Sequence, residues 1–389
     1  MNQKDIGNIR KQFKLHNENL KIREIFNVYV KKESNEIYHH VSLPFQMLEQ
    51  EAQELFLANF KKVLTGQLDA KLFDLKFQRD VDDSTQMVLF NGLQAEATED
   101  WNEAMLSIVE RMYAHTVYEF DTMVTFIRGE YRKPTRKRDL ESEEGGNDEV
   151  YSSEFILCSL NKTDQQKKAL VFDYIHKEFR PYNNVDPIIN LASPLTGFMF
   201  PAFIDNAADV NHILFYAGKG NHLDVGFIEE VLHCEDIITV EENKESFEAI
   251  LKTVIGDQVN PEVISNVYEE IDKLVQESEE EGKEESETPM LDYKDIGRIL
   301  EVSGVENVDA AKVEHAFKDV LSDERHEFKA KTLVPKKIKI NTTLADLKIA
   351  PKDLKNVKYI MYQGKRCLLL EIEDDVVVEG FTLEPGTLF

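Results

Sequence analysis

The chain has 389 residues, of which 46 are Lys or Arg and 73 are Asp or Glu, giving a formal charge of -27. Hydrophobic residues make up 42%, enough to build cores in two or three domains and too many for a chain disordered throughout. The charge repels nucleic acid and anionic membranes at long range, so either partner needs a local basic patch. The three cysteines, Cys158, Cys234 and Cys367, form no CxxC pair, which points away from a disulfide framework or a zinc motif.

In chain order, an opening helix is expected from Asp5, with Ile6, Ile9 and Phe13 on one face. Residues 22–30 and 36–42 read as a hairpin around Glu33, Ser34 and Asn35. A helix follows over about 45–65, with Gly66 as its stop. Phe73, Leu75 and Phe77 alternate as in a half-buried strand, and Asn91-Gly92 signals a turn. Trp101, Met105, Ile108, Val109 and Met112 mark an amphipathic helix. Residues 116–128, 155–160, 170–179, 197–203 and 212–218 are extended apolar runs, with a polar loop expected at 132–150.

Beyond residue 225 the period becomes helical. Phe247 to Ile255 forms one helix ended by Gly256, and Asn260-Pro261 opens another. An acidic linker is expected at 277–289, then two short helices around Ile296 and Val313. From about 336 the tail reads as strands turning at Gln363-Gly364 and Glu379-Gly380. The expected fold is α+β: an antiparallel sheet with packed helices (1–225), a helical segment (226–325) and a small C-terminal β module (326–389).

Few motifs carry chemistry. AGKG at 217–220 lacks the spacing of a phosphate loop and reads as a turn that exploits glycine's tolerance of positive φ. His39 and His40 are adjacent and point to opposite faces of a strand, and no histidine has a metal-ligand spacing. No metal or cofactor is expected. Cys158 sits in an apolar strand and reads as inert packing. Asp205, Asp209 and His212 form the densest polar cluster; a histidine beside two carboxylates suits general acid–base work, and a polar loop with local backbone bonds is the plainer reading.

Two stretches reverse the charge. Arg128, Arg132, Lys133, Arg136, Lys137 and Arg138 face only Glu130, a surplus of five. Residues 336–366 hold eight lysines and Arg366 against Asp346 and Asp353, a surplus of seven. These cations either neutralise acidic faces of the same chain or meet an external anion. Arg128, Arg132, Lys133, Lys337, Lys339, Lys355, Lys358, Lys365 and Arg366 are therefore the candidate partner-binding residues. The partner would be an acidic protein surface or nucleic acid, and not a membrane.

The segments NQKDIGNIRKQFKLHNENLKIREIFNVYV, FIRGEY, SSEFILCSLN, PLTGFMFPAFIDNAADVNHILFY and YIMYQGKRCLLLEIEDDVVVEGF carry a resemblance over nearly the whole chain. In that order they resemble a bacterial family, known mainly from Firmicutes, catalogued as domain of unknown function 4317. The resemblance implies a bacterial, cytoplasmic protein and names no reaction. Without a recognisable catalytic constellation, the leading expectation is a non-enzymatic binding or regulatory protein. The alternatives are a hydrolase-like enzyme using residues 205–212 and a nucleic-acid-associated protein using the basic stretches 128–138 and 336–366.

Overall fold

A computed structural model of the chain describes residues 1–134, 150–164, 169–182, 186–204, 207–220, 223–256, 260–280, 289–306, 308–321, 325–372, 375–382 and 384. The fold is α+β, divided into two compact units, Met1–Thr239 and Val240–Phe389.

The first unit contains α1 (Gln3–Arg10), β1 (Leu20–Lys31), β2 (Glu36–Pro44), α2 (Gln50–Val63), β3 (Leu72–Lys76), α3 (Thr85–Gln94), α4 (Thr98–His115), β4 (Thr122–Pro134) and β5 (Val150–Asp164). It continues with β6 (Ala169–Asp173), β7 (Glu178–Tyr182), β8 (Ile188–Ile189), β9 (Thr196–Phe200), β10 (Ala202–Ile204), β11 (Ala207–Asp209) and β12 (His212–Ala217). The main sheet runs β2-β1-β4-β5-β9-β12-β3, every pair antiparallel, with β8 added beside β5.

Side chains alternate across this sheet, and helices cover both faces. On one face Phe26, Val124, Phe126, Ile156, Phe198 and Phe215 pack with Leu89, Trp101, Met105 and Ile108 of α3 and α4. On the other, Ile25, Ile127, Leu157, Met199 and Leu214 pack with Ile6 and Ile9 of α1 and Leu57, Phe60 and Val63 of α2. A π-helical turn, Phe227–Val231, adds Phe227, Ile228 and Val231 to the first core, so this unit extends past residue 225. The FMFPAF segment is core: Phe198, Met199, Phe200 and Phe203 are buried.

Several local expectations change. The first helix starts at Gln3, ahead of the expected Asp5, and is capped by Asn2, whose side chain accepts from the Asp5 amide. The helix expected at 45–65 begins at Gln50, after a 3-10 turn at Phe45–Met47. Asn91-Gly92 is not a turn but lies inside α3, where a Cβ on Gly92 would stand 3.0 Å from Met105 Cε; the glycine admits α4. The run 170–179 is a separate hairpin, β6 and β7, and not one strand. Its apolar side chains Leu170, Phe172 and Phe179 are exposed. Residues 132–134 are the end of β4; the rest of the expected loop, 135–149, lies outside the described residues. Gly218 has no positive φ; a Cβ there would stand 2.1 Å from the Leu195 carbonyl oxygen, so the AGKG glycine answers to close approach.

The second unit holds α5 (Val240–Ile255), α6 (Pro261–Glu280), β13 (Met290–Leu291), α7 (Tyr293–Val302), α8 (Ala310–Leu321), β14 (Phe328–Lys329) and α9 (Ala330–Leu333). Phe247, Ile250, Ile271, Leu300, Phe317 and Phe328 form its core. Asn260 caps α6 by accepting from the Glu262 amide. Residues 277–280 of the expected linker are the last turn of α6, and 281–288 lie outside the described residues. The tail is three hairpins: β15 (Ile338–Asn341) with β16 (Asp346–Ile349), β17 (Val357–Tyr362) with β18 (Lys365–Leu370), and β19 (Val377–Val378) with β20 (Phe381–Thr382). Gln363, Gly364, Glu379 and Gly380 all have positive φ, as primed hairpin turns require. A 3-10 segment, Pro351–Asn356, interrupts these strands and packs on α6, where Ser265 Oγ donates to the Pro351 carbonyl.

Candidate functional site

The first unit holds a cleft of about 480 Å³ at one end of the sheet face that carries α3 and α4. Its position follows from a bulge. Ile22 pairs with Gly129 and Glu24 with Arg128, so Arg23 is an extra residue in β1. The bulge lets Ile22 and Ile25, three apart, share the core under α1 and α2, and it aims Glu24 at Arg128. Gly129 accommodates the bulged strand: a Cβ there would lie 2.4 Å from the Lys21 carbonyl oxygen.

Arg128 is buried at the floor. Its Nε and Nη2 donate to Glu24 Oε2 at 2.9 and 2.7 Å, and Nη1 donates to the Ala95 carbonyl at 2.7 Å. Ser42 Oγ donates to the other Glu24 oxygen at 2.7 Å. The guanidinium lies over the Trp101 ring, 5.0 Å from its centroid. Nearer the mouth, Arg23 Nη2 donates to Glu154 Oε1 at 2.6 Å. Arg128 was a candidate for an external partner; the structure buries it against Glu24 instead, because β1 and β4 are neighbours and the bulge presents the carboxylate. Arg132 pairs with Glu130 through two bonds at 3.0 and 3.1 Å, and together with Ser152 it holds the Glu130 carboxyl below the usual range. Lys133 lies on β4 opposite Tyr151, and residues 136–138 are outside the described residues.

The polar cluster after β10 is half assembled. Asp205 lies outside the described residues. His212 Nε2 stands 4.0 Å from Asp209 Oδ2, and its Nδ1 is 3.1 Å from Asp74 Oδ1, a residue of β3 that only sheet pairing brings near. Asp209 Oδ1 accepts from the amide and side chain of Asn211, the local bonding of a polar turn. Among the described residues, no group of three or more His, Cys, Asp or Glu side chains is placed to hold a metal ion. Burial pushes the Cys158 thiol well above its ordinary range, which suits packing and not nucleophilic use.

In the second unit, Lys339 lies on the exposed face of β15 and Ile338 and Ile340 are half-buried, while Lys337, also exposed, stands in the bend just before the strand. Lys348 on β16 lies directly opposite Lys339. Lys355 pairs with Glu269 of α6 at 3.3 Å, and Lys358 with Glu371 at 3.5 Å. Lys337, Lys339, Lys348, Lys365 and Arg366 are exposed and carry no ion pair among the described residues.

Residues 1–381 match the profile of a family described as a domain of unknown function, DUF4317. The chain belongs to this family. No curated protein and no solved structure matches the chain. For this DUF4317 chain, the functional reading therefore rests on its own geometry. No helix among the described residues is long and apolar enough to cross a membrane.

Sequence reasoning missed Glu24, Trp101 and Ala95 as site components, and it counted Lys348 in the basic stretch without singling it out. One signal was available for the first: the spacing Ile22-Ile25 breaks strand alternation and marks a bulge.

Proposed function

We propose that this is a non-enzymatic, cytoplasmic binding protein whose C-terminal module docks a phosphate-rich single strand of nucleic acid. One observation carries the reading: Lys339 and Lys348 stand directly opposite on a two-stranded hairpin, with Lys337 beside them, and none has an ion pair among the described residues. Like charges directly opposed across strands destabilise a hairpin, and such local costs persist where function needs them. An anionic chain laid over the hairpin removes that repulsion. The face is built of lysines, which act as compact point charges and suit phosphates without reading bases. The exposed Tyr359 ring on β17 offers a surface on which a base can stack.

The hydrolase-like alternative keeps the Asp209–His212–Asp74 grouping, which places two carboxylates beside one imidazole. Asp209 is engaged by Asn211, as a turn residue would be, so the binding reading is the stronger.

The test replaces Lys337, Lys339 and Lys348 together with Gln and measures retention on single-stranded RNA and DNA across a salt series. Three lost phosphate contacts predict weaker retention and a log–log salt slope shallower by about 2. Unchanged retention and slope overturn the reading. Weakened binding to an acidic protein alone, with no effect on nucleic acid, transfers the face to a protein partner.

A further inference from the structure

The cleft over Arg128 is separate from the lysine face in both residues and unit, and its chemistry selects a different ligand. We propose that it binds a small zwitterion of the α-amino acid type, carboxylate inward and ammonium outward.

Three features carry this. The first is the floor. A guanidinium has five N–H donors, and Arg128 spends three on Glu24 and Ala95. The remaining two belong to a side chain that is buried and lines the cavity. One N–H is left on each of Nη1 and Nη2, and a carboxylate is the acceptor that a guanidinium N–H binds most strongly. The second is the mouth. Glu96 lines the same cleft, is exposed, and carries no ion pair among the described residues. The third is the charge balance. Glu24, Glu96 and Glu154 outnumber Arg23 and Arg128 by one, which disfavours a simple anion, while the N–H donors of Arg128 at the floor offer a simple amine no acceptor. A molecule with its negative end at Arg128 and its positive end at Glu96 satisfies both. The volume of about 480 Å³ lies within the range of small-molecule sites.

The floor is also held in place. Trp101 supports the guanidinium from below, and Ser42 orients the Glu24 carboxylate that grips it. A site preorganised in this way loses little on binding, because its charged group is already held by three hydrogen bonds.

The experiment uses the full-length protein and isothermal titration calorimetry with the twenty standard amino acids, each up to about 10 mM. Acetate and ethylamine represent the two halves of the ligand, and glucose a neutral polar molecule. Saturable binding of at least one amino acid, with none of acetate, ethylamine or glucose, is expected. Arg128→Gln also strips buried Glu24 of its counter-charge, so the deciding variant is Glu96→Gln at the exposed mouth. It should keep the wild-type melting temperature and weaken amino-acid binding about tenfold, the loss of one charge-assisted contact. No saturable binding by any amino acid, equal binding by acetate, ethylamine or glucose, or an unchanged affinity in Glu96→Gln would each overturn the proposal. None of these outcomes bears on the lysine hairpin.

Discussion

β4 in the first unit and β17 in the second read alike as apolar strands, TMVTFIRGEY and VKYIMY, yet they live in different surroundings. β4 lies between β1 and β5 with helices over both faces, and Met123 to Gly129 are buried without interruption. β17 has one strand partner among the described residues, β18, and leaves Tyr359 65% and Met361 66% exposed. The number of neighbours, more than the composition of the strand, decides how much apolar surface leaves water. The first unit therefore buries even an arginine, Arg128, whereas the C-terminal hairpins offer their side chains outward.

The largest expected effect tests the buried half of this contrast. Phe198→Ala empties a site in the middle of the sheet and should destabilise the first unit by about 3–5 kcal/mol. Urea denaturation followed by the fluorescence of Trp101, the single tryptophan, reports that unit. A loss below about 1 kcal/mol would show a core looser than the burial implies.

Next in size is Gly197→Ala. The added Cβ would meet the Cys158 carbonyl oxygen at 2.5 Å and Val63 at 2.9 Å, where β9, β5 and α2 converge. Overpacking of this kind costs about 1–3 kcal/mol. The same fluorescence assay checks it, and a wild-type midpoint would mean that β9 can shift away from its neighbours.

The smallest effect belongs to the exposed half. Tyr359→Ser should change stability by less than about 0.5 kcal/mol, because little of the ring is covered. Thermal unfolding followed by circular dichroism is the measurement. A loss above about 1.5 kcal/mol would erase the contrast, since only a packed ring is worth that much.

Periodicity made the elements legible: the first hairpin, α4, α6 and the turns at Gln363-Gly364 and Glu379-Gly380 could all be placed from spacing and turn chemistry. It did not show which glycines serve close packing, so Gly92 read as a turn. Nor did it distinguish β5 from β18, both apolar runs, although Leu157 and Cys158 are buried and Leu370 is exposed. The candidate sites divide in the same way. Lys339 alternates with Ile338 and Ile340 and is exposed as strand alternation requires, and Lys337 is exposed in the bend just before the strand. Arg128 looked like part of a surface patch because its partner, Glu24, lies more than a hundred residues earlier in the chain. Asp74 joined His212 for the same reason, and no local pattern announces a pairing across that distance.

That distance has a consequence for how the protein is made. β3 closes one edge of the sheet, and its only strand partner among the described residues is β12, about 140 residues later. At translation rates of about 5–20 residues per second, Leu72, Phe73 and Leu75 wait roughly 7–28 seconds before their partner strand exists. Topologies dominated by such remote pairings fold slowly. The first two strands, β1 and β2, can zip locally while β3 remains an unpaired sticky segment. On the ribosome, it is this stretch that a holding chaperone would find open.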